Sequence, residues 1–276
     1  MTSAPVHVAL MGIDGAGKSS IAAELATELQ AAGRPVEIVS FKRALAGDQP
    51  VTSSILGHVA YASLICQYAE AELADAGLDP GALLAAADAA GSFPEAERRV
   101  RAVPVVRNEA RPFLASALLE VVGGFGVQSY VEARLRAGVC VIDESYAFKH
   151  VLKNVLLAQR LAGPGSPVHA EAQRVLDTAV SLFGTLLGPG LGCWVDTDPQ
   201  LALQWRTKAG AETTAFENYG LLGEAGEDSF LALQDDCRGA FAAAARRWGW
   251  QRVTMEDRPR EDNLAAALAA ISGSLP

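Results

Sequence analysis

The sequence predicts an α/β fold: a five-stranded parallel sheet flanked by helices, with a helical insertion. Three observations carry this prediction. Short apolar runs recur and end at a glycine or an acid. Segments of helical period separate them. A glycine-rich turn joins the first run to the first helix.

Val6 to Met11 is apolar, stops at Gly12 and reads as a buried strand. Ser19 to Ala32 follows with Ile21, Leu25 and Leu29 on one face, and Gly33 closes it. Val36 to Ser40 is the second strand, which completes a βαβ unit. Residues 45–110 are less regular. Helical stretches over about Ile55 to Ala76 and Gly81 to Ala90 are separated by Gly77, Pro80, Gly91, Pro94 and Pro104. This is read as a helical insertion within a single domain spanning 1–276. Arg111 to Ala137 is mostly helical, although Gly123, Gly124 and Gly126 should weaken it midway.

Val139 to Asp143 is a continuous apolar run ending in an acid, as expected of a strand covered on both faces. Tyr146 to Ala162 and Val168 to Leu187 read as helices around a Gly163–Pro167 break. Gly192 to Asp196 is the fourth strand and Pro199 to Lys208 a short helix. Ala209 to Gly226, polar and glycine-containing, reads as a mobile connection. Ser229 to Trp248, Gln251 to Met255 and Arg260 to Ser272 supply a helix, the fifth strand and the last helix. On such a sheet, ligands lie outside the carboxyl ends of the strands.

The 276 residues are 50% hydrophobic, enough for a sizeable core. The net charge of −9 argues against a nucleic-acid partner bound through a broad basic surface. It leaves room for a small anion in a locally positive cleft. Cys66, Cys140, Cys193 and Cys237 lie far apart without C-x-x-C spacing, so buried thiols and a cytoplasmic location are expected. The first residues lack a basic n-region, no apolar run reads as a membrane span, and no fixed-period repeat stands out.

Gly12-Ile-Asp-Gly-Ala-Gly-Lys-Ser19 fits G-x-x-x-x-G-K-[ST] between a strand and a helix. Its glycines let main-chain N–H groups curl around phosphate, and the helix N-terminus adds its dipole. The ATP-binding residues are therefore Asp14, Gly15, Ala16, Gly17, Lys18, Ser19 and Ser20, with Lys18 on the β- and γ-phosphates and Ser19 on Mg²⁺. Asp143, ending the third strand, is the expected second metal residue, directly or through water. Glu144 has three readings: a base for an acceptor hydroxyl, a residue that polarises water, or a solvated loop acid.

Other charged groups are read mainly as surface. Arg98, Arg99 and Arg101 are expected on a solvated face balanced by Glu95 and Glu97, whereas Arg107 and Arg111 are equally candidates for an acceptor phosphate. Lys149 and Lys153, four apart, read as a solvated face more readily than as cleft residues. His7 is expected to be structural, and the tryptophans are expected in the core.

Three segments suggest a family. The loop from Gly12 to Ser20 closely resembles that of thymidylate kinases. Val195 to Arg206 looks like their strand and helix leading to a lid, and Arg206 to Glu217 is similar to the lid itself. The resemblance covers about the first 45 residues and 111–276. It implies a P-loop kinase fold with a lid over 206–226, ATP and Mg²⁺ as cofactors, and a homodimer through the helices around 111–137. It also implies that Asp14 faces the acceptor, that Arg206 reaches the phosphates and that Phe41 and Arg43 lie where acceptor contacts are made; Lys18 from the loop motif and Glu144 from its place after the third strand complete the expected catalytic set, with Tyr146 a further expected acceptor contact.

Two departures matter. The family's Asp-Arg-Tyr or Asp-Arg-His is here Asp143-Glu144-Ser145-Tyr146, and its arginine in the preceding helix has no counterpart in Leu118 to Gly124. Both remove positive charge from where an acceptor phosphate would lie. The expected function is therefore phosphoryl transfer from ATP to a small nucleoside, nucleotide or related hydroxyl acceptor other than ordinary thymidylate, with Glu144 as general base. A P-loop ATPase using Asp143 and Glu144 on water, or a non-catalytic nucleotide-binding regulator, are the alternatives. No membrane partner is expected.

Overall fold

The structure is a computed structural model describing residues 4–40, 44–46, 54–89 and 91–275. The elements run β1 His7–Met11, α1 Lys18–Ala31, β2 Val36–Val39, α2 Ser54–Tyr68, α3 Glu70–Asp75, α4 Pro80–Ala85, α5 Phe93–Arg101, α6 Arg111–Arg136 and β3 Cys140–Asp143. They continue with α7 Phe148–Ala162, α8 Pro167–Thr185, β4 Leu191–Asp196, α9 Pro199–Lys208, α10 Glu227–Trp248, β5 Gln251–Thr254 and α11 Arg260–Ser272. All five strands are parallel, in the order β2-β3-β1-β4-β5. This is an α/β fold with helices flanking the sheet, as the alternating pattern predicted.

β1 lies at the centre because it can be covered on every side, and each of its five residues is buried. Its partners set the site: Ala9 is opposite Asp143 of β3, and Met11 is opposite Trp194 of β4. The loop leaving β1 thus emerges between the carboxyl ends of its two neighbours. His7, buried on β1, is held by burial down at about 4 and is structural, as expected. The four cysteines are free thiols.

The insertion differs from its expected outline. The stretch read as one helix to Ala76 breaks at Ala69, which takes φ 61 and separates α2 from α3. That conformation is disfavoured for alanine and is held in place by the surrounding packing. Helix α5, across Phe93–Arg101, was not anticipated, since Pro94 reads as a breaker; at a first helical turn it is accommodated.

Helix α6 runs unbroken through its glycines. A Cβ on Gly124 would lie 3.0 Å from Phe183 Cζ, so the missing side chain lets α8 approach closely, and this contact outweighs poor propensity. By length and composition α6 could cross a bilayer, against the expectation that no run reaches that measure. Half of its apolar window is buried inside the protein, where it packs on α2, α7 and β3.

Candidate functional site

A large cavity, about 1480 Å³, opens at the carboxyl ends of β1 and β3. One end is the loop of residues 14–20 with α9 and the start of α11; the other is walled by α2, α5 and α6. The volume exceeds the usual range for one small ligand and suits two side by side.

The loop is shaped by steric exclusion. A Cβ on Gly12 would sit 2.6 Å from the Val195 carbonyl oxygen. Gly15 and Gly17 take φ of 81° and 88°, which glycine adopts without cost. Thr197 donates from Oγ1 to the Ala16 carbonyl at 3.2 Å and ties the loop to the end of β4. Gly17 begins α1 with no side-chain cap and no acid in the first turn, so the helix's first amides stay available to an anion. Lys18 is buried and donates from Nζ to the carbonyls of Gly12 at 2.9 Å and Ile13 at 2.7 Å. Burial, then repulsion from Lys149, pulls it well below the ordinary lysine range, and Asp14 only partly opposes this.

Asp14 is the hub of the site. Lys149 Nζ and Lys153 Nζ, one turn apart on α7, pair with its two oxygens. Gln234 of α10 donates to Asp14 Oδ2 at 3.2 Å and accepts from the Asp14 amide at 2.9 Å. Burial would raise the Asp14 carboxyl, but Lys149, Lys153 and Lys18 outweigh it and hold the group well below the usual carboxylate range. Lys153 also donates to the Phe216 carbonyl at 3.0 Å, and Gln234 to the Glu217 carbonyl at 2.8 Å, so the hub ties down the 206–226 segment. The segment read as mobile is therefore anchored at the loop.

On the opposite wall, Ser19 Oγ donates to Glu144 Oε1 at 3.1 Å, leaving its lone pairs for another partner. Both residues line the cavity. Asp143 does not: it is buried behind the wall, accepts from the Ser145 amide at 3.1 Å, and is pushed up to about 7 by burial. Among the described residues no three His, Cys, Asp or Glu side chains converge. The donors present, one hydroxyl and one cavity-facing carboxylate, fit a hard cation that keeps most of its shell as water and phosphate oxygen.

Arg206 lies across the loop, its Cγ and Cδ 3.0 Å from a Cβ built on Gly15. It donates to Glu217 Oε2 at 2.9 Å and to the Glu212 carbonyl at 2.8 Å, while its buried Nε has no partner.

The far end of the cavity has a hydrogen-bonded network of Ser63, Gln67 and Glu120 at its base, with Glu97, Arg98 and Arg101 of α5 along its edge. Ser63 donates to Glu120 Oε1 at 2.8 Å, and Gln67 Nε2 reaches Ser116 Oγ at 3.1 Å and Asn154 Oδ1 at 3.3 Å. Burial lifts Glu120 to about 7. Leu45, Ala60, Leu64, Phe93 and Phe216 supply apolar wall.

Several expectations are corrected. Tyr146 is no acceptor contact: it is buried with Phe183 and Trp250, and its hydroxyl donates to the carbonyls of Phe183 and Leu187, both at 2.9 Å. Arg107 turns inward to Glu72 at 3.1 Å, and Arg111 lies on the surface 3.3 Å from Glu171; neither lines the cavity. Arg98 is exposed and paired with Glu95, as expected, at the rim of the cavity, whereas Arg101, expected on the same solvated face, is half-buried along the cavity edge, paired to Glu97 at 2.7 Å and 5.9 Å over the Phe216 ring. Lys149 and Lys153 are buried cleft residues and not a solvated face. Trp205, expected in the core, lines the cleft. Phe41 and Arg43 lie outside the described residues.

Some participants carried a signal that was not taken up. Ser63 and Gln67 are the two strongly polar side chains in the otherwise apolar Val59–Tyr68, spaced to share one face. Gln234 carried none.

No protein-family model and no curated protein matches the chain. Among solved structures, deoxyadenosine kinase from M. mycoides with bound dCTP aligns over 97% of this chain and 99% of that one, at 9% identity and a TM-score of 0.45. The same enzyme with bound dATP gives 10% identity and 0.45, covering 96% and 99%. A structure named APE1195 gives 13% identity and 0.36, covering 100% and 99%. The site residues, and not these likenesses, carry the functional reading.

Proposed function

We propose that the protein is a Mg²⁺-dependent phosphotransferase that moves the γ-phosphoryl group of ATP to a hydroxyl of a small, uncharged acceptor. One observation carries this reading. One cavity joins a glycine loop, with its buried lysine, to a pocket built on Ser63, Gln67, Glu120 and apolar side chains, with the Arg101–Glu97 pair at its edge.

The loop amides and Lys18 hold the triphosphate. Ser19, its hydroxyl hydrogen-bonded to Glu144, would hold Mg²⁺, with Asp143 buried behind the wall supporting the site. When bound, the metal neutralises phosphate charge. Glu144 takes the proton of the acceptor hydroxyl. Arg206, carried by the segment 206–226, faces the loop, and that segment excludes water so that phosphate does not go to solvent. Ser63, Gln67 and Glu120 orient the acceptor. The arginines that edge this pocket are already paired, Arg101 with Glu97 and the exposed Arg98 with Glu95, which disfavours a doubly charged phosphate, since that needs free cations in a dry site. A homodimer, as the resemblance implies, would form through the exposed apolar strip Leu118, Val122 and Phe125 of α6. The cytoplasm is the proposed location.

Calorimetry with Mg²⁺ and a non-hydrolysable ATP analogue, followed by an ADP-release screen, tests the reading. Hydroxyl compounds, nucleosides among them, are screened each beside its phosphate ester. Binding with turnover of the unphosphorylated member is expected. Preference for the ester overturns the acceptor class; rapid acceptor-independent hydrolysis overturns the transfer reaction. Failure to bind any nucleoside triphosphate overturns the reading entirely.

A further inference from the structure

The cations facing the loop outnumber the anions. Lys149 and Lys153 are almost wholly enclosed, with side chains 9% and 4% exposed, and share the one carboxylate of Asp14. Lys18, also buried, has only main-chain carbonyls as partners. Burying an ammonium group is costly unless it is fully paired. Three such groups around one carboxylate leave positive charge that a bound anion must answer. The neighbourhood registers the excess: His150 is driven down to about 3, by burial first and then by Lys149 and Lys153. The next acid along the wall, Glu144, already accepts from Ser19.

The three lysines are not equivalent. Lys18 lies on the loop, where the triphosphate binds. Lys153 spends a second hydrogen bond on the Phe216 carbonyl, which commits it to holding the 206–226 segment against the loop. Among the described residues Lys149 hydrogen-bonds to Asp14, and it lines the cavity. It also lies where the two ends meet. One residue along, the His150 carbonyl accepts from Asn154, whose Oδ1 accepts from Gln67 of the far pocket.

We propose that Lys149 is a catalytic residue of phosphoryl transfer, donating to a non-bridging oxygen of the phosphoryl group as it passes from donor to acceptor, with Lys153 a positioning residue beside it. The proposal rests on the phosphotransferase reading above. As the bond from the γ-phosphorus to the β–γ bridging oxygen breaks, the bond to the acceptor oxygen forms. The bridging electron pair leaves with ADP, the hydroxyl proton passes to Glu144, and Lys149 keeps its proton throughout. Lys149 thereby supplies charge at the position where Asp143-Glu144-Ser145 lacks an arginine.

The experiment compares Lys149→Met, Lys149→Arg, Asp14→Asn and the double variant Asp14→Asn/Lys149→Met. Kd for the Mg²⁺ complex of a non-hydrolysable ATP analogue is measured beside kcat for transfer to the acceptor that the screen identifies, or for slow ATP hydrolysis if none is found. Lys149→Met is expected to lower kcat by about 10²-fold or more while Kd moves less than about threefold. Lys149→Arg should recover part of the loss. The double variant restores the charge balance of the buried pair, so it keeps the test open if Lys149→Met alone fails to fold. It should bind the analogue and remain slow. If the double variant regains kcat, or Lys149→Met never loses it, Lys149 serves only to neutralise Asp14 and the inference is wrong. If the unaltered protein binds no analogue, it is the underlying reading that has failed.

Discussion

At the sheet end of the cavity the ligand-facing groups are main-chain amides, fixed by glycines that no other residue could replace. Gly12 presses on the Val195 carbonyl, and Gly15 and Gly17 hold positive φ. At the lobe end the corresponding groups are side chains on α2, α5 and α6, held by each other through Ser63, Gln67, Ser116 and Glu120. The first end is a fixed backbone mould. The second is a hydrogen-bonded network of side chains, with Glu120 held near 7. Under the proposed function the difference places specificity: the amide loop would take a nucleoside triphosphate tail, and the lobe network would select the acceptor.

The sharpest break of this comparison is Lys18→Ala. It removes the loop's ammonium group and should reduce transfer by about 10³-fold or more with the melting temperature little changed. Retained activity in the folded variant would mean that the loop is not the donor site. Next comes Glu144→Gln, which should lower transfer by about 10²–10⁴-fold while analogue binding, measured by calorimetry, persists. An equal loss of binding would reassign Glu144 to the metal alone.

A smaller effect probes the lobe end through pH. Burial holds the Glu120 carboxyl up at about 7 against an ordinary value of 4.5, so the folded protein binds this proton more tightly than the unfolded chain. Its stabilising contribution is complete below the unfolded value and is lost as pH rises through about 7. Glu120→Gln should therefore be nearly neutral near pH 4.5 and stabilising by roughly 1–3 kcal/mol at pH 8, read from urea unfolding at both. A constant difference across pH would show that Glu120 stays ionised. The smallest effects concern the outer arginines. Arg107→Ala should cost about 1–3 kcal/mol by removing a buried pair, and Arg111→Ala less than about 0.5 kcal/mol. Neither should alter the KM of the acceptor, and a tenfold rise in either would return that arginine to the acceptor site.

Residue pattern alone was enough to locate all five strands within about a residue of their ends: the buried β1, β3 and β4 read as apolar runs, and the more exposed β2 and β5 by their place between helices. It also placed the glycine loop between β1 and α1, because glycines, a lysine and a hydroxyl at fixed spacing are a local pattern. Lys149 and Lys153 show the limit. Their spacing puts them on one face of α7, but a helix's own sequence does not say whether that face meets water or Asp14, some 135 residues earlier in the chain. Arg101 and Arg107, six residues apart, show the same limit: Arg101 edges the cavity, whereas Arg107 is buried against Glu72.

What the sequence by itself determined is the strands, the order of the elements and the glycine loop between β1 and α1, each legible within a short stretch of chain. What only the tertiary structure decided is the pairing of the strands, the charge balance around Asp14 and the polar network of the far pocket. The last two arise where helices distant in sequence pack together. There, burial and the identity of the facing group set whether a polar side chain is solvated, paired or left to meet a ligand.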